Sequence, residues 1–179
     1  SPVLFYATAL SKAIGDIERR ADKSNAKVPR RAGELGLQTE VEDPVVEESL
    51  ARADLVRGVV IRLLDAGVRD LSFVEPGDAV YQARQGDARF LRTVPIRVSF
   101  TATTQLLAKV LAKFQVQGAF LQVRGCRIAR ESSKPGSALV VELDLQALNI
   151  VASSPRGASS SSAPSGGSRS GPRSFGRDR

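Results

Sequence analysis

The stretch VPIRVSFTATTQLLAKVLAKF, residues Val94–Phe114, decides the fold. Apolar and polar side chains alternate over Val94–Phe100, which is the period of a half-buried β-strand. The apolar side chains that follow recur three and four residues apart, as on one face of an amphipathic helix. They are Leu106, Leu107, Val110, Leu111 and Phe114. A strand that runs straight into such a helix predicts a sheet on which the helix lies.

Three further strands are predicted around this unit. Val68–Glu75 precedes it, with Leu71 and Phe73 predicted on one face, and is followed by a long hairpin loop at Asp78–Arg92. Ala119–Arg130 follows it, and Gly125 separates two apolar sets of opposite parity, which predicts a β-bulge. Ala138–Ile150 is the fourth strand and is predicted to pair with Val94–Phe100. Pro95 is placed at the start of its strand, where a proline is tolerated.

A helix is predicted between Asp43-Pro44 and Gly67. Asp is a good N-cap, Pro is preferred at the first helical position, and Gly commonly follows the last turn. Its predicted buried stripe is Val46, Leu50, Ala53, Val56, Val60, Leu63 and Leu64.

The N-terminal segment Ser1–Lys27 is predicted to form a helix with a narrow apolar seam. Two sets of residues seven apart, one containing Leu10 and Ile17 and the other Ile14 and Ala21, interleave as in a coiled coil. Such a helix would be an arm that pairs with another helix. An ordinary helix packed on its own domain stays open, because fewer than four heptads are present.

The element order predicts an α+β chain: an N-terminal coiled-coil-like helix, a ferredoxin-like αββαββ two-layer sandwich and a disordered C-terminal tail. The sandwich is expected to have the strand order third, fourth, second, first. The segments are an arm helix at 1–28, a linker at 29–42, the sandwich at 43–151 and the tail at 152–179. The tail is rich in Ser, Gly, Pro and Arg and has little to bury.

Composition excludes most catalytic arrangements. There is no His and one Cys, so Ser-His and Cys-His nucleophile pairs are excluded. We find no metal-ligand cluster and no glycine-rich phosphate loop, and we predict a non-enzymatic chain without cofactors. Cys126 lies in an apolar strand pattern and is predicted to be a small buried side chain. The net charge is +7, of which the tail contributes +4. The charge that remains on the folded part is only a weak indication of a nucleic-acid-binding surface.

The run VPIRVSFTATTQLLAKVLAKF, with FLQVRGCRIAR and ALVVELDLQAL after it, resembles the periplasmic part of PilO and its secretion-system counterpart GspM. The earlier stretch KSNAKVPRRAGELGLQ resembles the Amuc-type pilus-locus relatives of PilO. The resemblance covers roughly residues 10–151. The Ser/Gly/Arg tail is not a general feature of that family.

This resemblance implies an alignment protein of a type IV pilus or type II secretion machine. Such a protein lies at the periplasmic face of the bacterial inner membrane, and we expect a single-pass anchor upstream of Ser1. Its expected partners are itself and PilN-, PilP- and PilM-like assembly proteins.

Two surfaces are predicted to serve in assembly. One is the arm seam, formed by Leu10, Ile14, Ile17 and Ala21. The other comprises the sheet edges, where an added strand can pair, at Leu71 and Phe73 and at Leu121 and Val123.

Two other classes of function stay open. One is a nucleic-acid-binding αβ module with a basic tail, although Arg97 and Ser99 stand where base-stacking aromatics would be needed. The other is a ferredoxin-like domain that binds a regulatory ligand, which rests on analogy of fold alone.

Overall fold

The computed structural model describes residues 2–83, 90–115, 121–130 and 138–151. The predicted tail and the predicted turn at 131–137 lie outside these residues. The elements in chain order are α1 (Pro2–Ser24), 3-10 turns at Gly33–Leu35 and Asp43–Val45, α2 (Val46–Ala66), β1 (Asp70–Pro76), β2 (Val80–Ala83), β3 (Phe90–Ala102), α3 (Thr104–Gln115), β4 (Leu121–Arg130) and β5 (Leu139–Val151).

The strands form one antiparallel sheet in the order β1-β3-β5-β4, which confirms the predicted strand order. β3 and β5 pair without interruption from Phe90↔Val151 to Ala102↔Leu139. The alternating side chains Val94, Ile96, Val98 and Phe100 are all buried, as are Val141, Leu143 and Leu145 of β5. The helices cover this apolar face, and the αββαββ sandwich predicted from the sequence is confirmed.

The predicted helices α2 and α3 are also confirmed. Gly67 caps α2 in the left-handed conformation, with φ of 109°. The start of α2 differs from the prediction, because Asp43 lies within a 3-10 turn whose N-cap is Glu42. On α2, Leu50 is half-buried, whereas Val59, absent from the predicted stripe, is fully buried.

Pro95 lies inside β3 and not at its start, so that prediction was wrong. A proline has no N–H to donate to a neighbouring strand. β1 ends opposite Ile96, and β2 begins opposite Thr93. Pro95 therefore faces the gap between β1 and β2, where its carbonyl accepts a hydrogen bond from the backbone N–H of Gly77 at 2.8 Å.

Part of the long connection between β1 and β3, where a loop was predicted, forms a strand. Val80–Ala83 forms β2 and pairs with β3 from Thr93 to Phe90. Four residues are too few to show a period in the sequence, and the strand is stabilised by its partner. Residues 84–89 lie outside the described part of the chain.

Two β-bulges, one in β4 and one in β1, determine which side chains of these strands face the helices. In β4 the register shifts between Val123 and Gly125, which confirms the predicted bulge. In β1 it shifts between Leu71 and Phe73. Leu71 consequently lies opposite Phe100 on the helix side, whereas Phe73 lies opposite Ser99 on the other face. The prediction that these two side chains share a face was wrong.

Helix α1 is a core element and not an arm. Its buried side chains are Tyr6, Leu10, Ala13, Ile17 and Ala21, which belong to the same apolar cluster as those of α2. The helix ends at Ser24, earlier than the predicted end at Lys27, and Asn25 follows with φ of 49°. Asparagine tolerates this left-handed conformation, which ends a helix. The ordinary packed helix, which the sequence left open, is the arrangement found.

Ion pairs join α1 to α2. Arg57 donates to Asp16 at 2.7 Å, and Arg20 pairs with Asp65. The partner numbers rise together along the two helices, so α1 and α2 run in the same direction. The connection between them must therefore run back along the domain.

We expect Asp16→Asn to remove part of the acid sensitivity of folding. The hydrogen bond from Arg57, with one from Arg19, holds the pKa of Asp16 below its ordinary 3.8 against the opposing effect of burial. Because the pKa of Asp16 is lower in the folded chain, the unfolded chain binds the proton more readily. The stabilisation that ionised Asp16 gives to the fold is therefore present above pH 3.8 and is lost as the pH falls through the lowered pKa. Urea unfolding at several acidic pH values should show a shallower fall in stability for the variant. Equal slopes would contradict the prediction.

The connection at residues 25–42, predicted as a loop and linker, packs against the sandwich. The backbone N–H of Lys27 donates to Arg69 at 2.7 Å, and that of Leu71 donates to Lys27 at 2.9 Å. Tyr6 donates its hydroxyl proton to the carbonyl of Gln38. The buried side chains of the connection are Ala26, Ala32, Leu35 and Leu37. This connection therefore occupies the outer edge of β1 at its start.

Candidate interaction surfaces

The predicted arm seam is mostly hidden by the chain itself. Leu10, Ile17 and Ala21 are 6%, 1% and 0% exposed, and Ile14 is half-buried. An interface through this seam stays a prediction, and it requires α1 to exchange α2 for a helix of another chain.

The predicted edge at β1 is closed at its start. Leu71 is buried on the helix side of the sheet, and its backbone N–H is bound to Lys27. Phe73 is half-buried on the opposite face. Of the two predicted residues, only Phe73 has surface to offer to a partner.

The edge at β4 is open. Leu121 and Val123 are half-buried and pack against the main core, with α3 next to this strand. The second half of β4, Cys126–Arg130, is exposed along its whole length, and Ile128 is 54% exposed. In the described part of the chain, β5 is the only strand that pairs with β4. We call Leu121–Arg130 the β4 edge.

Cys126 is exposed, so the prediction that it is buried was wrong. The bulge turns Cys126 to the helix side opposite Leu143, but the helical layer leaves this end of the strand uncovered. Neighbouring protein still desolvates the thiol enough to raise its pKa. A raised pKa keeps it protonated and poorly nucleophilic, which is unlike a catalytic cysteine.

The exposure of Ile128 was not anticipated from the sequence. A signal for it was present, because arginines stand at positions 124, 127 and 130. A strand with this many arginines is typical of a sheet edge, where charged side chains reach water.

The face of the sheet away from the helices carries paired charges. Arg97 donates to Asp144 at 3.3 Å and lies 3.8 Å from Glu75. Arg127 donates to Glu142 at 3.4 Å. Because acids and bases alternate across the strands, this face has no excess of positive charge for a nucleic-acid backbone.

A cleft of about 380 Å³ opens between α2 and the far end of the sheet. Its walls are mainly aliphatic, and Arg62, Arg92 and Asp54 supply its charges. The Nε of Arg92 is buried and has no hydrogen-bond partner among the residues that the structure describes. Two guanidinium groups suit a carboxylate or phosphate, so the cleft is the feature that the ligand-binding alternative would use. The described residues include no group of acids, cysteines or histidines able to hold a metal ion.

Together these features define a class: a ferredoxin-like αββαββ sandwich with an added N-terminal helix and an open sheet edge at β4. No family model and no curated protein matches the sequence. Within the ranges that the structure describes, no helix is both long and apolar enough to cross a membrane.

Solved structures with the same fold come from Akkermansia muciniphila. One crystal structure has a TM-score of 0.69 at 14% identity and covers 87% of this chain and 81% of its own. Another, of a protein solved without its transmembrane region, has a TM-score of 0.66 at 13% identity, with coverages of 83% and 85%. At these identities the likeness shows the fold.

A weaker match is the type 4 fimbrial biogenesis protein PilO from Pseudomonas aeruginosa. Its TM-score is 0.46 at 15% identity, over 55% of this chain and 67% of that one. A TM-score this low does not carry an argument about function.

Proposed function

We propose that this chain is a non-enzymatic assembly module of a type IV pilus or type II secretion alignment complex. Three observations support the proposal. The sequence of β3, α3, β4 and β5 resembles the PilO and GspM family. The fold is that of the A. muciniphila proteins, one of which has a transmembrane region. The third observation is the open β4 edge.

The β4 edge is the observation that carries the proposal. The outer side of an edge strand presents backbone hydrogen-bond donors and acceptors with which another chain can pair. The chain occupies the start of the opposite edge, at β1, with its own Lys27. It leaves Ile128 and its neighbours uncovered. The surface best suited to assembly is therefore this one edge and not the predicted arm seam.

The proposed setting is the periplasmic face of the inner membrane, with an anchor supplied by a segment upstream of Ser1. The proposed partners are PilN-, PilP- and PilM-like proteins and further copies of the chain. Leu121 and Val123 contribute to the interface through the strand that they hold against the core, and Ile128 contributes exposed apolar surface.

Site-specific photocrosslinking in the bacterium that makes the protein tests this proposal. A photoreactive residue in place of Ile128 is expected to capture an inner-membrane pilus or secretion assembly protein, or a second copy. Lys109, exposed on α3, gives the control position, where we expect no such product. Deleting the gene should abolish surface pili or type II secretion. Normal pili and secretion, with no assembly protein crosslinked at Ile128, would overturn the proposal.

A further inference from the structure

The β4 edge is strongly basic. It contains Arg124, Arg127 and Arg130 and not one acidic residue. All three arginines are exposed. Only Arg127 has close acidic neighbours on β5, at 3.4 Å from Glu142 and 3.9 Å from Asp144. A strand that adds to this edge would therefore meet an excess of positive charge.

This charge disfavours pairing between the β4 edges of two copies. Antiparallel pairing centred on Arg127 would set Arg127 against itself and Arg124 against Arg130. Other registers place different arginines opposite one another or leave them without a charged partner. No register places an acidic residue of the β4 edge opposite an arginine. Like charges directly opposite one another on neighbouring strands are destabilising.

The two faces of the β4 edge would contact different kinds of side chain on an added strand. Cys126 and Ile128 lie opposite Leu143 and Val141, on the apolar helix side of the sheet. Arg127 lies opposite Glu142, on the charged face. An added strand would place successive side chains on these two faces in turn. Apolar residues would then cover Ile128, and acidic residues would meet Arg127. Arg130 lies opposite Leu139, on the helix side beyond Ile128, so a further acidic residue at the end of the added strand would meet it.

We propose that the β4 edge binds an extended segment of a different protein, in which apolar and acidic side chains alternate. The inference rests on the proposed function, because it specifies the partner of the same edge. Charge complementarity at such an edge selects the partner and disfavours self-pairing.

Two synthetic peptides of 10 residues, the length of β4, test the inference. One alternates Val and Glu, and the other alternates Val and Lys. We expect the Val/Glu peptide to shift the backbone amide NMR signals of β4 and to bind more weakly as salt is added. The Val/Lys peptide should not bind. Equal binding of both peptides, or shifts confined to other elements, would overturn the inference.

Charge reversal provides the matched comparison. Arg124→Glu combined with Arg130→Glu should weaken Val/Glu binding about tenfold, because charges near both ends of the edge that attract the peptide's Glu side chains become charges that repel them. Lys109→Glu combined with Lys113→Glu makes the same change in net charge on α3 and should leave binding unchanged. If both double variants lose affinity equally, binding depends on overall charge and the inference fails.

The single cysteine reports on self-pairing. A short bismaleimide should not join two copies through Cys126, whereas efficient joining would show β4–β4 contact and overturn the inference. The photocrosslinking experiment is independent of these results. If Ile128 captures an assembly protein while the Val/Glu peptide fails to bind, the partner chemistry is wrong and the assembly function stands.

Discussion

Ile17→Ala is expected to lower the free energy of unfolding by about 3 kcal/mol. Ile17 is 1% exposed and lies in the apolar cluster that joins α1 to α2. The substitution removes buried carbon and leaves a cavity that the closely packed helices can only partly close. Urea denaturation followed by circular dichroism measures the difference.

Leu4→Ala on the same helix is the control for Ile17→Ala. Leu4 is 69% exposed, so its truncation should change stability by no more than about 0.5 kcal/mol. The coiled-coil arm predicts the opposite pattern for Ile17→Ala, with unchanged stability of the domain and weaker association of copies. That pattern would contradict the placement of α1 in the core.

Gly36→Ala is expected to destabilise the fold by about 2–4 kcal/mol. Gly36 has φ of 64°, where a side chain is strained, and an added Cβ would lie 2.5 Å from Cδ of Pro76. The ring of Pro76 cannot swing away, because this residue ends β1 opposite Ile96. The connection would have to lift from the strand. A lower melting temperature and faster hydrogen exchange at the Leu71 amide, which is bonded to Lys27, are the expected readouts.

Gly33→Ala provides the matched control in the same connection. No atom lies within 4 Å of a Cβ added at Gly33, and the residue is not among the glycines with positive φ. The substitution should be neutral or stabilise by about 0.4–1 kcal/mol through the unfolded chain. If Gly36→Ala is equally harmless, the connection does not pack on β1 in the way described.

The sandwich was predictable because the periods of its main strands and helices are clear. Val94–Phe100 alternates over enough residues to specify one buried face, and α3 follows with a helical period. The bulge in β4 was also visible, because a glycine coincides with a change of parity. The bulge in β1 was not, because Ser72 is an ordinary strand residue and Leu71 and Phe73 alone cannot reveal a shift.

The candidate surface was only half predictable. Leu121 and Val123 were placed correctly on one face of an edge strand. The exposure of Cys126 and Ile128 depends on how far the helical layer extends over β4, and an apolar pattern does not report that distance. The same limit explains why Cys126 was predicted to be buried.

The sequence alone determined the αββαββ order, the strand order and the apolar faces of α2, α3, β3 and β5, because these follow from periodicity, glycine and proline positions, and chain connectivity. Tertiary structure decided what covers each face. The stripe on α1 is equally compatible with a partner helix and with α2, and ion pairs such as Asp16–Arg57 form only once the packing is chosen. Contacts between residues distant in the chain also closed the start of the β1 edge and left the β4 edge open, and periodicity contains no information about them.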